Sequence, residues 1–204
     1  LYINPDGKLI RKVIGFRKSA DFLTEGRKGL YDEEKFQELE RAYNNGENDM
    51  SLLHEYAKLL WIANAPAFEE VSAKYLGRLS TAELQEASTL KTIFLFADKI
   101  NTPAFNLMLK NRSLFDDAYG QELVTQKIIE ASFKSLKKAA KSQDKKQLKQ
   151  VTNTLKKSGH KDAVAFSYLA TAQYYEATKD WKKYAKAAVK YLDKHEQDKW
   201  EVYN

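Results

Sequence analysis

Three prolines and eight glycines in a chain of 204 residues set the first limit on what this sequence can become. An all-β protein turns often and draws heavily on those two residue types, so the turn chemistry of a sandwich or barrel is in short supply here. Two of the prolines, Pro66 and Pro103, stand where a helix can begin, because the first helical residue needs no backbone N–H. Hydrophobic residues make up 43% of the chain and aromatics 12%, enough for a packed core at this length. The class expected is mainly α. No run approaches the roughly 18 consecutive apolar residues of a membrane span. No basic-then-apolar leader opens the sequence, although a chain starting at Leu1 leaves the leader of a precursor unaddressed.

The spacing of apolar residues carries this expectation to individual helices. Phe36, Leu39 and Tyr43 line one face of a helix over Asp32 to Tyr43, which Asn44-Asn45-Gly46 ends. From Asp49, with Asn48 or Asp49 as cap, Leu52, Leu53, Tyr56, Leu60 and Ala63 repeat the stripe and complete a helical hairpin. Pro66 opens a third helix through Val71, Tyr75 and Leu76 to about Gly77. Ser80 and Glu83 have the spacing of a capping box, which predicts a fourth helix through Leu84, Ala87, Leu90, Phe94 and Ala97 towards Ile100. Thr102-Pro103 caps and opens the next, where Phe105, Met108, Leu109, Leu114 and Phe115 fit two short helical turns better than one clean helix, with a break at Tyr119-Gly120. Leu123 to Lys141, Lys145 to Lys157, Ala163 to Thr178 and Trp181 to Lys194 complete the set, with Lys179-Asp180 as the last turn. Helices paired through short loops predict an α-α superhelix rather than a compact bundle.

The last pair resembles a tetratricopeptide repeat. Tyr168, Ala172 and Tyr175, then Trp181 and Ala188, fall near the spacing at which that repeat interlocks large and small side chains. It is degenerate, since Tyr184 and Tyr191 stand where small residues are usual and no proline follows Lys194-His195. Residues 1–30 differ. Leu1-Tyr2-Ile3, the turn Asn4-Pro5-Asp6-Gly7 and the β-branched run Lys8 to Phe16 predict a β-hairpin, followed by a helix over Ser19 to Glu25. Two strands alone are marginal in water. The hairpin is therefore expected to pack Ile10, Ile14 and Phe16 on one face and Leu9 and Val13 on the other, against the helix around Phe22, the first helical pair or a second chain.

Asn4-Pro5-Asp6-Gly7-Lys8, Gly15 and Phe22 resemble the last hairpin and helix of secreted bacterial thioredoxin-like proteins. Asn111-Arg112, Phe115 and Tyr119-Gly120 are similar to the helical region that follows the thioredoxin domain in some exported bacterial proteins. The resemblance implies that residues 1–30 end a truncated thioredoxin-like domain and that residues 31–204 form a helical repeat-like domain. It also implies a thiol-disulfide oxidoreductase or isomerase as parent, in the periplasm or cell envelope. In that family a Cys-X-X-Cys pair and a cis-proline lie upstream of this hairpin, before Leu1; the chain itself has no cysteine.

No catalytic, cofactor-binding or metal-ligating residue is nominated within the chain. His54-Glu55 begins like a zinc-protease helix, but Lys58 occupies the second ligand position, so His54 reads as a helix-flank histidine. Glu33-Glu34, Glu69-Glu70 and Asp116-Asp117 are adjacent pairs that point to different sides of a helix and suit helix N-termini or solvated faces. Glu25-Gly26-Arg27-Lys28-Gly29 lacks the phosphate-loop pattern and reads as a helix cap with a linker.

The net charge of +6 is unevenly spread: Lys134 to Lys199 holds 17 lysines against seven acids, and the last arginine is Arg112. Lys137-Lys138, Lys145-Lys146, Lys156-Lys157 and Lys182-Lys183, with Trp181 and nearby tyrosines, could make a surface for single-stranded nucleic acid. Against that, the aromatics follow the apolar stripe and are expected in the core, which leaves the lysines as a solvated face; the alternative is that a few of Tyr168, Tyr174, Tyr175, Trp181, Tyr184 and Tyr191 face a concave groove. Tyr174 and Tyr175 are adjacent, so one of them is expected to be exposed. The function expected is a non-catalytic, protein-binding helical domain, its partner a polypeptide. A free-standing helical scaffold and a basic nucleic-acid binder are the alternatives.

Overall fold

The computed structural model describes residues 2–3, 9–11 and 33–195, and helix dominates them. By internal contacts the chain divides into two compact units, Leu1–Glu86 and Ala87–Asn204. In the first, strand β1 (Tyr2–Ile3) pairs antiparallel with β2 (Leu9–Arg11), Tyr2 opposite Arg11 and Ile3 opposite Leu9. The Asn4 to Lys8 turn, the expected Ser19 to Glu25 helix, the Glu25 to Gly29 segment and the packing faces of the hairpin lie outside the described residues. Helix α1 covers 33–44, and α2 is Met50–Ile62. Phe36 and Leu39 of α1 are buried, and the Phe36 and Tyr43 rings lie 5.6 and 5.5 Å from that of Tyr56 on α2. Asp49 caps α2 by accepting the N–H groups of Ser51 and Leu52, which otherwise have no partner in the first turn. Helix α3 (Phe68–Leu76) packs on α2 and buries Val71, Tyr75 and Leu76.

The second unit is a run of seven described helices: α4 (Ala87–Phe96), α5 (Pro103–Lys110), α6 (Arg112–Tyr119), α7 (Gln121–Lys141), α8 (Lys145–Lys156), α9 (Ala163–Ala177) and α10 (Trp181–His195). Thr102 caps α5 and Pro103 takes its first position, while Gly120, at φ 86° and ψ 141°, breaks α6 from α7. That backbone region is closed to residues with a Cβ. From α7 onward each helix packs on the next, and α7 also touches α9. This is the tetratricopeptide-like stacking of helical hairpins in an α-α superhelix.

The two hairpins of this stack are joined by the same turn. Helix α7 ends at Ser142, whose hydroxyl donates to the Lys138 carbonyl; Gln143 takes φ 53°, and Asp144 then caps α8 by accepting the Gln147 N–H. Helix α9 ends at Thr178, whose hydroxyl donates to the Tyr174 carbonyl; Lys179 takes φ 58°, and Asp180 accepts the Lys183 N–H of α10. In both, the next two N–H groups fold back: Gln143 and Asp144 donate to Ala140 and Ala139, Lys179 and Asp180 to Glu176 and Tyr175. This closure satisfies the last carbonyls of one helix, and the aspartate satisfies the first amides of the next. Ser142 and Thr178 are 36 residues apart, so α8 and α10 follow equivalent turns at that offset.

Three expectations are corrected. The Ser80–Glu83 capping box forms, with Ser80 N–H donating to Glu83 Oε2 at 2.8 Å, but it holds only a 3-10 turn, Glu83–Gln85. Glu86 is extended at ψ 133° and α4 begins at Ala87, because no residue of that turn is buried and a helix without a packed stripe does not propagate. Helix α3 begins at Phe68 rather than at Pro66. Trp181, expected in the core, is 60% exposed.

Candidate interaction surface

Helix α10 carries two apolar stripes. Tyr184, Ala187 and Tyr191 turn towards α9, where Ala187 is buried and the two tyrosines are half-buried. Trp181, Ala185, Val189 and Leu192 recur at the four- and three-residue spacing of a second face, displaced from the first by roughly a quarter turn or more. On it Trp181 is 60% exposed, Val189 57% and Leu192 47%. Lys182 and Lys186 border this stripe, and neither has an acidic partner among the described residues, whereas Lys183 pairs with Asp180 and Lys190 lies over the Tyr168 ring. The Lys183 ammonium in turn holds the Asp180 carboxyl below its ordinary range.

A second feature lies at the α6–α7 corner. Gly120, the start of α7 and the α8–α9 loop surround an open groove of about 750 Å³ whose lining includes Tyr119, Leu123, Gln126, Gly159 and His160. Arg112 bonds Thr125 of this lining. Its Nε reaches Asp116 Oδ2 at 3.3 Å, Nη1 donates to the Ser158 carbonyl at 2.9 Å, and Nη2 donates to Thr125 Oγ1 at 2.9 Å. The guanidinium thereby ties α6 to α7 and to the loop before α9. Gly159, at φ 86°, passes so close that a Cβ there would lie 3.4 Å from Nη2. Nearby, Phe94 stacks on Tyr119 with ring centroids 4.6 Å apart, and Lys127 Nζ sits 5.1 Å from the Phe94 centroid. Burial, seconded by Lys134, pulls the Lys127 ammonium below its ordinary range, and burial pushes the Tyr119 phenol up. A smaller groove of about 260 Å³ between α5, α7 and α8 has a mixed apolar and amide lining, and the Asn101 amide donates to Gln150 Oε1 at 3.0 Å at its edge.

The residues weighed in the sequence are dispersed. His54 stacks on Tyr75 at 5.1 Å, and burial, with Lys58 close by, pulls its pKa below the ordinary value. Glu55 pairs with Lys58. Glu33 accepts from Gln37, Glu70 accepts from both Lys74 and the Tyr43 hydroxyl, and Glu34, Glu69 and Asp117 are exposed. Asp116 departs from the solvated reading: it faces Arg112, and its Oδ1 is buried without a hydrogen-bond partner. The lysine pairs 137–138, 145–146, 156–157 and 182–183 are all exposed. Of the adjacent tyrosines, Tyr174 is buried and Tyr175 half-buried. No group of three metal-ligating side chains occurs, and no helix is long and apolar enough to cross a membrane, among the described residues.

These features define a mainly α protein of tetratricopeptide-like helical hairpins with an open apolar face on α10. Compared with protein families, curated proteins and solved structures, the chain returns no match. Of the α10 face, only the apolar spacing that begins at Trp181 was legible in the sequence, and it put that residue in the core. The Arg112 hub was not, because its partners come from residues far along the chain.

Proposed function

We propose that this chain is a non-catalytic helical domain that binds polypeptide, and that its parent is a thioredoxin-like thiol-disulfide oxidoreductase of the periplasm or cell envelope. The parent's Cys-X-X-Cys pair would precede Leu1. What supports the binding role is the exposure of Trp181, Val189 and Leu192 side by side on α10. Large apolar groups gathered on one open face are how soluble proteins present an interaction site. What supports the parent is the β1–β2 pairing beside the Asn4 to Lys8 sequence.

Selecting a displayed peptide library on the full chain tests the binding role. Enrichment of a sequence family is expected, and failure to enrich any peptide overturns it. Reading the gene upstream of Leu1 tests the parent: a Cys-X-X-Cys some tens of residues earlier is expected, and a start codon directly before Leu1 leaves a free-standing scaffold instead. Salt-dependent binding of single-stranded DNA or RNA would favour the exposed lysines over the apolar face.

A further inference from the structure

The equivalent turns before α8 and α10 allow the two helices to be compared position by position at the 36-residue offset set by Ser142 and Thr178. The face that α10 packs on α9 has a direct counterpart: Tyr184, Ala187 and Tyr191 correspond to Leu148, Val151 and Leu155, the buried residues of α8. The open stripe has none. Trp181, Ala185, Val189 and Leu192 correspond to Lys145, Lys149, Asn153 and Lys156, all exposed. On α8, then, this face is polar and does not carry the stacking, although α8 is packed by both α7 and α9. The apolar stripe of α10 is a departure from the α8 pattern, not the ordinary surface on which another hairpin stacks.

We infer that this stripe is a docking site for an amphipathic helix of a partner polypeptide, one whose apolar side is bordered by acidic residues. The inference rests on the polypeptide-binding role proposed above. Trp181 to Leu192 is about three helical turns, roughly 16 Å, which suits a helix lying along α10. Ala185, exposed between the larger residues, lets a second backbone come close, and Trp181 has the anchor chemistry of an interface centre. The charge defines the partner. Lys182 and Lys186 run beside the first half of the stripe with no acidic partner among the described residues, and Asp193 lies on the same edge near its end, so a helix seated there meets a positive edge next to Trp181 and Ala185.

The probe is a pair of synthetic amphipathic helices about 18 residues long, identical in their leucine stripe, one flanked by glutamate and the other by lysine. Titrated against the full chain, the glutamate peptide is expected to bind at least about tenfold more tightly than the lysine peptide. Trp181→Ala should weaken it about tenfold or more. Lys182→Glu with Lys186→Glu should reverse the preference between the peptides. Circular dichroism and thermal unfolding of both variants should match the parent, since all three side chains are exposed. Equal binding of the two peptides, or binding indifferent to these variants, overturns the assignment. So does self-association in sedimentation, or partition onto phosphatidylserine vesicles, that Trp181→Ala abolishes, which would make a second copy or a membrane the occupant. Library peptides that bind the Trp181→Ala chain as well as the parent overturn this docking site and leave polypeptide binding standing; a chain that binds no peptide overturns both.

Discussion

Arg112 shows what one side chain contributes to the second unit. Its planar guanidinium satisfies three groups at once, Asp116, Thr125 and the Ser158 carbonyl, with the geometry that a lysine ammonium cannot reproduce. Removing it leaves Asp116 facing a partly buried space with one oxygen already without a partner. Arg112→Met is therefore expected to cost about 2 kcal/mol in urea unfolding, and Arg112→Lys to recover less than half of that. His54 makes a pH-dependent contribution of the opposite kind. Burial, then the Lys58 charge, lowers its folded-state pKa, so between that value and the ordinary 6.5 the unfolded chain binds more protons than the folded one. Stability should be full above about 6.5 and fall as the pH drops through that window. Urea midpoints compared at pH 7.5 and 5.5 should show a loss on acidification that His54→Gln reduces; an unchanged loss would remove His54 as its source.

At the scale of elements, three of the described helices, α2, α7 and α9, stop by the same device. Asn64, Gln143 and Lys179 each adopt a left-handed conformation just after a helix, at φ 51°, 53° and 58°. Each allows the chain to satisfy the helix's terminal carbonyls, and none of the three is glycine. A side chain in this region costs about 1–2 kcal/mol, offset in part by the greater unfolded-state entropy of a glycine replacement. Lys179→Gly and Gln143→Gly are each expected to stabilise by about 0.5 kcal/mol, read as a higher urea midpoint at unchanged slope. A fall in midpoint would mean that the lysine or glutamine stem contributes more than its backbone costs. Two of these turns were legible in the sequence, because Lys179-Asp180 and Ser142-Gln143-Asp144 interrupt strong apolar periodicity. The start of α4 was not legible there, because the Ser80–Glu83 signal is local, whereas continuing a helix depends on having something to pack against. Within α10 the period was correct and the destination of Trp181 was not. Spacing says which residues share a face, and it does not say whether another element covers that face.

The whole molecule divides at Glu86 and Ala87, beside the extended residue that ends the 3-10 turn. The second unit has its own core, with Phe96, Phe105, Met108, Phe115, Val124 and Leu155 almost fully buried. Residues 87–204 alone are therefore expected to give a helical circular dichroism spectrum and a cooperative thermal transition. A broad, non-cooperative melt would show that this core depends on the rest of the chain. By itself the sequence determined that this protein is mainly α, where most of its helices fall, and that its last third is basic, because periodicity, caps and charge are local properties of the chain. The tertiary structure alone decided that Arg112 closes a three-way junction, that two hairpins share one turn geometry, and that the second apolar stripe of α10 is open. Those facts concern which distant groups come within contact range, and a one-dimensional pattern does not specify the neighbours that burial requires.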